Sequence, residues 1–135
     1  MNRVLLVNDH AEIRDRTAAM LEQLGWEVYV AASEDAVFEF VVACRPAFVV
    51  VDMEMARSVG LESIATVRTL FSDLFVIAAS RGSDRELLSR MATKCGANAF
   101  VAGPVSSTKL TQAIEIGVID GLIDDRPFHG GAPMA

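Results

Sequence analysis

Two aspartates, Asp9 and Asp52, each follow a short apolar run that is rich in β-branched residues. Two carboxylates held close together repel each other unless a cation or a proton lies between them. Mg²⁺ usually binds one or two protein carboxylates together with waters and a phosphate, and a hydroxyl such as that of Ser80 can donate to a phosphoryl oxygen. These residue types suggest phosphoryl chemistry at a carboxylate. The alternative, that both aspartates only begin loops or cap helices, stays open at this point.

Five short apolar runs alternate with helical patterns along the chain. The runs lie at 4–7, 28–30, 48–51, 75–78 and 100–101. Several are continuously apolar, as in strands that are covered on both faces. Five strands that are each followed by a helix favour an open doubly wound sheet over an eight-unit barrel. We predict an α/β, flavodoxin-like (βα)5 fold with a five-stranded parallel sheet in the strand order 2-1-3-4-5.

Apolar residues that recur on one helical face mark the five helices, and we expect these residues to be core. Ser33 is a candidate N-cap, as is either Ser106 or Ser107, whereas Gly25 and Gly96 are candidate helix ends. The five stripes are Ile13, Thr17, Met20, Leu21 and Leu24; Ala36, Val37, Phe40 and Cys44; Leu61, Ile64 and Val67; Leu87, Leu88 and Met91; and Leu110, Ile114 and Val118.

The predicted topology places the polar residues that end each strand at one edge of the sheet, where open α/β sheets bind ligands. Because the first and third strands are neighbours in this order, Asp9 and Asp52 are expected to converge with Ser80 beside them. The four polar segments are Asn8-Asp9-His10, Asp52-Met53-Glu54-Met55, Ser80-Arg81-Gly82 and Gly103-Pro104.

Composition narrows the class of protein further. The 135 residues carry 12 Lys and Arg against 18 Asp and Glu, a net charge of −6 that argues against direct binding of nucleic acid. Two Cys and two His at unrelated spacings form no zinc motif. No run is long enough to span a membrane and no signal peptide is visible, so we expect a cytoplasmic location. We predict one domain over residues 1–120 and a flexible C-terminal tail over 121–135.

The order of Asn8-Asp9, Asp52 with Met55, Ser80 and Gly103-Pro104 resembles the receiver domain of two-component response regulators. The resemblance covers about residues 2–118. The stretches that carry it are VLLVND, PAFVVVDMEM with Gly60 eight residues after Asp52, FVIAAS and GANAFVAGP.

This resemblance implies a phosphorylation site and a metal site that share residues. Asp52 matches the phospho-accepting aspartate. Asp9 matches the acid that binds Mg²⁺ directly. Asp52 and the backbone carbonyl of Glu54 would be further ligands of the ion, and Asn8 would lie in its outer shell. Ser80 matches the switch hydroxyl.

The resemblance also implies a switch and partners. Phe100 matches the aromatic residue that rotates with the switch, and Pro104 matches a proline that often follows a cis peptide bond. A histidine kinase or phosphotransfer protein would supply the phosphoryl group. A downstream protein would bind the surface formed by helix 4, strand 5 and helix 5. The receiver itself would be a monomer or a weak dimer.

Four positions depart from the family pattern. Asn8 stands where the family has an acid, Gly103 where it has a lysine, Ala56 where it has a proline, and Arg81 where it has a small residue. Loss of the lysine removes a charge-assisted hydrogen bond worth about 1.5–3 kcal/mol, so the phosphorylated active state is expected to be less favoured. Loss of the acid is expected to weaken Mg²⁺ binding roughly 10–100-fold.

Three further charged side chains need an interpretation, and two of them allow more than one. Arg81 either contacts the phosphoryl group in place of the lysine or lies in solvent at the rim. The Glu54 carboxylate either crowds the incoming phosphoryl group or is a solvated loop acid. Lys109 is interpreted as a solvated helix charge.

Three functions follow from these patterns. The first is a stand-alone atypical receiver that is phosphorylated at Asp52, with impaired phosphorylation or switching. The second is a pseudo-receiver that binds partners without phosphorylation. A remote third is a haloacid-dehalogenase-like phosphohydrolase, although Ala56 stands where that family has a hydroxyl residue. The first two are signalling proteins and not enzymes.

Overall fold

The alternating apolar runs and helical stripes form five parallel strands and five helices in a computed structural model that describes residues 2–54 and 60–124. The sheet has the strand order β2-β1-β3-β4-β5, which confirms the predicted flavodoxin-like topology. The elements are β1 (Arg3–Val7), α1 (Ala11–Gln23), β2 (Glu27–Ala31), α2 (Glu34–Cys44), β3 (Phe48–Asp52), α3 (Gly60–Leu70), β4 (Phe75–Ser80), α4 (Arg85–Cys95), β5 (Ala99–Ala102) and α5 (Ser107–Ile119).

The strands are continuously apolar because both faces of the sheet are covered. Alternate side chains of β1 enter different clusters: Leu6 belongs to a cluster under α1 and α5, and Leu5 to one under α2, α3 and α4. Buried members of the first cluster include Leu6, Leu21, Val50, Ile77 and Leu110. Buried members of the second include Leu5, Val37, Val51, Ile64 and Ala92.

Local side-chain bonds explain where several helices begin and end. The hydroxyl of Ser33 accepts a hydrogen bond from the backbone N–H of Ala36, as predicted. Ser106, rather than Ser107, caps α5 by accepting from the N–H of Lys109 at 3.2 Å. Gly96 ends α4 at φ +113°, a conformation that favours glycine.

The prediction that the whole fourth stripe is core is wrong. Leu87 is 46% exposed and Met91 36% exposed, whereas the buried residue of α4 is Ala92. Leu24, the last residue of the first stripe, is 39% exposed because it follows the end of α1. The 11-residue helix α4 therefore buries a narrower face than the apolar stripe in the sequence suggests.

Residues 121–124 fold back against the last turns of α5. The N–H groups of Leu122 and Ile123 donate to the carbonyl of Gly117, and Ile123 is only 3% exposed. The first residues of the predicted tail therefore include a core side chain. The remainder of that tail, from residue 125, lies outside the described residues.

None of the helices in the described ranges is long and apolar enough to cross a membrane.

Candidate functional site

Asp52 ends β3 at the carboxyl edge of the sheet and is 4% exposed. Its residue partner on β4 is Ala79, so the next residue, Ser80, ends β4 beside it. The Oδ1 of Asp52 accepts from the backbone N–H of Glu54 at 3.1 Å. The Oδ2 accepts from Nη2 of Arg81 at 3.2 Å. Both carboxylate oxygens of the predicted phospho-acceptor therefore have a donor.

The environment of Asp52 opposes its ionisation. Burial raises the pKa of the Asp52 carboxyl above its ordinary value, and the nearby charge of Glu54 adds to that rise. The Glu54 N–H and the Arg81 guanidinium lower the same pKa and offset part of the effect of burial. Arg81 is thus the cation that makes a buried carboxylate tolerable at this position.

Glu54, Ser80 and Arg81 form a hydrogen-bonded group that we call the Glu54 cluster. The Ser80 hydroxyl donates to one carboxylate oxygen of Glu54, and the backbone N–H of Arg81 donates to the other. The N–H of Gly82 donates to the Ser80 oxygen at 3.1 Å. The interpretation of Glu54 as a solvated loop acid is therefore wrong, since its side chain holds the predicted switch hydroxyl.

Arg81 does not lie free at the rim. Its guanidinium donates to the Asp52 carboxylate and, at 3.4 Å, to the backbone carbonyl of Glu54. Its Nε lies 3.9 Å from a Glu54 carboxylate oxygen. Three oxygens therefore anchor the guanidinium. The side chain is 34% exposed, so part of it still faces solvent.

The two residues after β1 differ in their surroundings. Asn8 is 3% exposed, and its side-chain oxygen accepts from the N–H of His10 at 2.7 Å. Asp9 is half-buried. Because Val7 pairs with Val51, this loop begins next to the end of β3. The sharing of one cation by Asp9 and Asp52 stays a prediction.

The predicted donors include the oxygen types that Mg²⁺ prefers, namely the carboxylates of Asp9 and Asp52 and the carbonyl of Glu54. Arg81 already donates to an oxygen of Asp52 and to the Glu54 carbonyl. In the described ranges, no three His, Cys, Asp or Glu side chains gather as in a metal centre. The donor set suits a hard cation, but a guanidinium competes for two of its oxygens.

The lysine position of the family pattern has a distinct backbone here. Gly103 adopts φ +72°, and its N–H donates to the Ser80 carbonyl at 2.9 Å. The ammonium of Lys109 donates to the carbonyls of Ala102 at 2.7 Å and Pro104 at 3.2 Å. The interpretation of Lys109 as a solvated charge is wrong, because it binds the backbone on both sides of Gly103.

Two predicted switch residues lie on and after β5. Phe100 is half-buried, pairs with Ala78 and packs against the second core cluster. Pro104 follows Gly103 at the mouth of a pocket next to Asp52. No cis peptide bond occurs among the described residues, so Pro104 lacks the cis bond that the resemblance suggested.

A pocket of about 280 Å³ lies behind Asp52, between the sheet and α1. Its polar lining residues are Asn8, Arg16, Thr17, Asp52, Ser80 and Arg81. Its inner wall includes Thr17, which the sequence pattern assigned to the core and not to a site. The apolar stripe correctly predicted which face of α1 points toward the sheet. The same stripe is expected whether that face covers a filled core or a cavity, so the sequence did not reveal the pocket.

Comparison with known proteins agrees with this architecture. The family model for the response regulator receiver domain matches residues 4–115, and the chain belongs to this family. A curated relative is the transcriptional regulatory protein PdtaR of Mycobacterium tuberculosis, 31% identical over 118 residues that cover 86% of this chain and 56% of PdtaR. The chain thus spans about half the length of that relative.

Solved structures show the same fold at low sequence identity. A CheY-like receiver domain protein from Methanospirillum hungatei is 23% identical, with a TM-score of 0.77 over 89% of this chain and 95% of that one. The receiver domain of NtrX from Brucella abortus is 24% identical, with a TM-score of 0.78 over 86% of this chain and 98% of that one.

Family membership defines the general activity. Receiver domains are signalling domains of two-component systems, interact with histidine kinases or phosphotransfer proteins, and generally bind Mg²⁺ at an acidic pocket. This assignment replaces the phosphohydrolase alternative.

Proposed function

We propose that this chain is an atypical receiver whose phospho-acceptor is Asp52 and whose phosphorylation or switching is impaired. The observation that carries the proposal is the position of Asp52: it ends β3 beside Ser80, with Arg81 on its carboxylate. A histidine kinase or phosphotransfer protein in the cytoplasm would supply the phosphoryl group. A carboxylate oxygen of Asp52 would attack phosphorus while the bond to the donor nitrogen breaks and its electron pair returns to the imidazole.

Two contacts account for the impairment. The guanidinium of Arg81 donates to a carboxylate oxygen of Asp52, which would act as nucleophile and metal ligand. It also donates to the backbone carbonyl of Glu54, which would be a further metal ligand. The Glu54 carboxylate also takes the Ser80 hydroxyl, which would otherwise donate to a phosphoryl oxygen. An incoming phosphoryl group must therefore displace a carboxylate of like charge, which opposes its approach. Mg²⁺ binding is expected to be weak because Arg81 competes with it.

The Glu54 cluster also supports a second candidate function, a pseudo-receiver that signals without phosphorylation. The Glu54 carboxylate accepts from the Ser80 hydroxyl and from the Arg81 N–H, two donors that suit a phosphoryl group equally well. Ser80 is thereby held by an internal anion in the unphosphorylated chain. In this alternative the surface that partners recognise does not depend on Asp52.

The surface of α4, β5 and α5 is the proposed partner site in both cases. Leu87, Met91 and Ile116 are exposed there at 46%, 36% and 47%. Phe100 and Lys109 line a groove between β5 and α5. Exposed apolar side chains next to a basic residue suit a protein partner. We propose that the chain acts as a monomer or weak dimer.

Intact mass after incubation with acetyl phosphate and Mg²⁺ tests the proposal. We expect a slow gain of one phosphoryl group that Asp52→Asn abolishes. Glu54→Ala should raise the phosphorylated fraction, because Ser80 is then free to donate to the phosphoryl group. Glu54→Gln, which keeps the acceptor and removes the charge, should give an intermediate result.

The second candidate makes the opposite prediction in the same experiment. A chain that gains no phosphoryl group as wild type or as Glu54→Ala, yet still binds its partner as Asp52→Asn, supports the pseudo-receiver. Phosphorylation that persists in Asp52→Asn would refute Asp52 as the acceptor.

A further inference from the structure

The pocket behind Asp52 shares Asp52, Ser80 and Arg81 with the proposed phosphorylation site, and most of its remaining lining lies along the sheet and α1. Its volume is about 280 Å³. Protein interiors are usually packed without voids of this size, and small-molecule pockets are usually about 300–1,000 Å³. The apolar walls come from three places: Leu6, Val50 and Ala79 on the strands, Ile13 and Met20 on α1, and Val105 before α5.

Two of the lining residues have small side chains. Ala79 of β4 leaves room above the sheet next to Asp52, and Thr17, 3% exposed, leaves room under α1. An apolar cavity that the protein does not fill costs stability, and a ligand that fills it recovers that loss.

The charges around the pocket restrict the kind of ligand. The guanidinium of Arg81 is paired with Asp52 at 3.2 Å. That of Arg16 is paired with Glu12 at 3.0 Å. A charged ligand in this apolar space would need an opposite charge to compensate for its lost hydration, and both cations that line the pocket already have partners. Asn8, Asp52 and Ser80 contribute further polar atoms to the pocket lining.

We propose that this pocket binds a small uncharged molecule, largely apolar and about the size of a fused bicyclic ring, with one hydrogen-bonding group at the polar rim. An apolar cavity of about 150 Å³ can hold benzene, so 280 Å³ has room for a larger ring system. The ring would lie against Leu6, Val50 and Met20, and its polar group near Asn8 and Asp52.

Isothermal titration calorimetry with indole tests the proposal on the full chain, without Mg²⁺ or a phosphoryl donor. We expect a dissociation constant below about 1 mM. Indole-3-acetate and tryptamine, which add a negative and a positive charge to the same ring, should bind at least about tenfold more weakly. Absence of indole binding at about 5 mM, or tighter binding of either charged analogue, would overturn the proposal.

Two substitutions locate the binding site. Ile13→Trp fills the pocket from a half-buried position on α1, and Ala79→Leu fills it from the sheet. Each should weaken indole binding about tenfold or more. Ala19→Trp, at an exposed position of the same helix, is the matched control and should bind like the wild type.

Undiminished indole binding by a folded Ile13→Trp chain would place the ligand elsewhere and refute the assignment. Far-ultraviolet circular dichroism establishes folding for each variant, so that Ile13→Trp remains informative if Ala79→Leu does not fold. Since no phosphorylation is measured, failure here leaves the acceptor role of Asp52 unaffected, and failure of phosphorylation leaves this pocket unaffected.

Discussion

At the scale of single residues, Arg81 connects the predicted acceptor with the loop that follows it. Its guanidinium donates to Asp52 and to the backbone carbonyl of Glu54, while its own N–H donates to the Glu54 carboxylate. The hypothesis that Arg81 replaces the missing lysine at a phosphoryl group stays a prediction. In the structure its partner is Asp52, so Arg81 acts as an internal counter-ion at the predicted metal site.

Replacement of Arg81 is therefore expected to favour Mg²⁺. In Arg81→Ala the oxygens of Asp52 and Glu54 lose their competing cation, and the dissociation constant for Mg²⁺ should fall by roughly tenfold. Calorimetric titration with MgCl₂ measures this change. Arg90→Ala removes the same charge from an exposed pair with Glu86 and should leave the affinity nearly unchanged. Unaltered or weaker Mg²⁺ binding in Arg81→Ala would contradict the role assigned to this side chain.

Gly103 is the residue that prevents simple restoration of the family lysine. At φ +72° any side chain is strained, and a Cβ would lie 3.3 Å from the Lys109 ammonium. Gly103→Ala should lose about 1 kcal/mol of unfolding free energy from the backbone alone, with a further loss if Lys109 leaves its two carbonyls. Urea denaturation measures both effects. Gly121→Ala, at φ +75° with no neighbour within 4 Å, isolates the backbone contribution. Equal losses would show that Lys109 adapts freely.

At the scale of elements, the start of α3 packs directly on the end of β3. A Cβ at Gly60 would lie 2.5 Å from the backbone oxygen of Asp52 and 2.7 Å from the Cα of Met53. These are backbone atoms at the end of the central strand β3 and directly after it, so they cannot move without moving Asp52. The glycine that the sequence resemblance includes is thus explained by the close approach of α3 to the end of β3.

Gly60→Ala is expected to destabilise the fold by about 1–3 kcal/mol through overpacking. It should also lower the phosphorylated fraction, because the backbone of Asp52 shifts. Thermal unfolding and intact mass measure the two effects. Gly82→Ala is the contrast: its Cβ would meet the end of the Leu88 side chain at 2.5 Å, which can rotate away. A Gly60→Ala chain as stable as Gly82→Ala would refute the argument from backbone contact.

At the scale of the whole molecule, two core clusters hold opposite faces of one sheet. The cluster under α1 and α5 is completed by Ile123, which lies beyond α5. Gly117 makes room for it, since a Cβ there would lie 2.4 Å from the Ile123 side chain and 3.2 Å from Phe75. The domain therefore includes at least residues up to Ile123, and the segment after α5 helps to hold that helix on the sheet.

Ile123→Ala should cost about 2–5 kcal/mol of unfolding free energy, as expected for removal of a buried aliphatic side chain. The neighbouring Leu122→Ala should have a much smaller effect because Leu122 is 44% exposed. Chemical denaturation of the two variants makes the comparison. Equal and small losses would mean that the segment after α5 contributes little to the core.

The fold and the positions of Asp52 and Ser80 could be predicted from the sequence for a physical reason. Strands covered on both faces are continuously apolar, helices on a sheet have an apolar stripe, and parallel strands bring their carboxyl ends to one edge. Those local patterns were sufficient to predict the strand order and the position of Asp52 and Ser80 at neighbouring strand ends. The caps at Ser33 and Ser106 followed from side chains that bond within the next turn.

The sequence by itself thus determined the architecture and the place of Asp52 at the end of β3, because both follow from the apolar pattern along the chain. Only the tertiary structure decided which partners the charged side chains take. Arg81 is 29 residues from Asp52, and Ser80 is 26 residues from Glu54, so no local pattern predicts these bonds. The same holds for the pocket behind Asp52 and for Lys109, whose length and flexibility allow several positions. Such contacts depend on where each side chain finds a partner after the sheet and helices have packed.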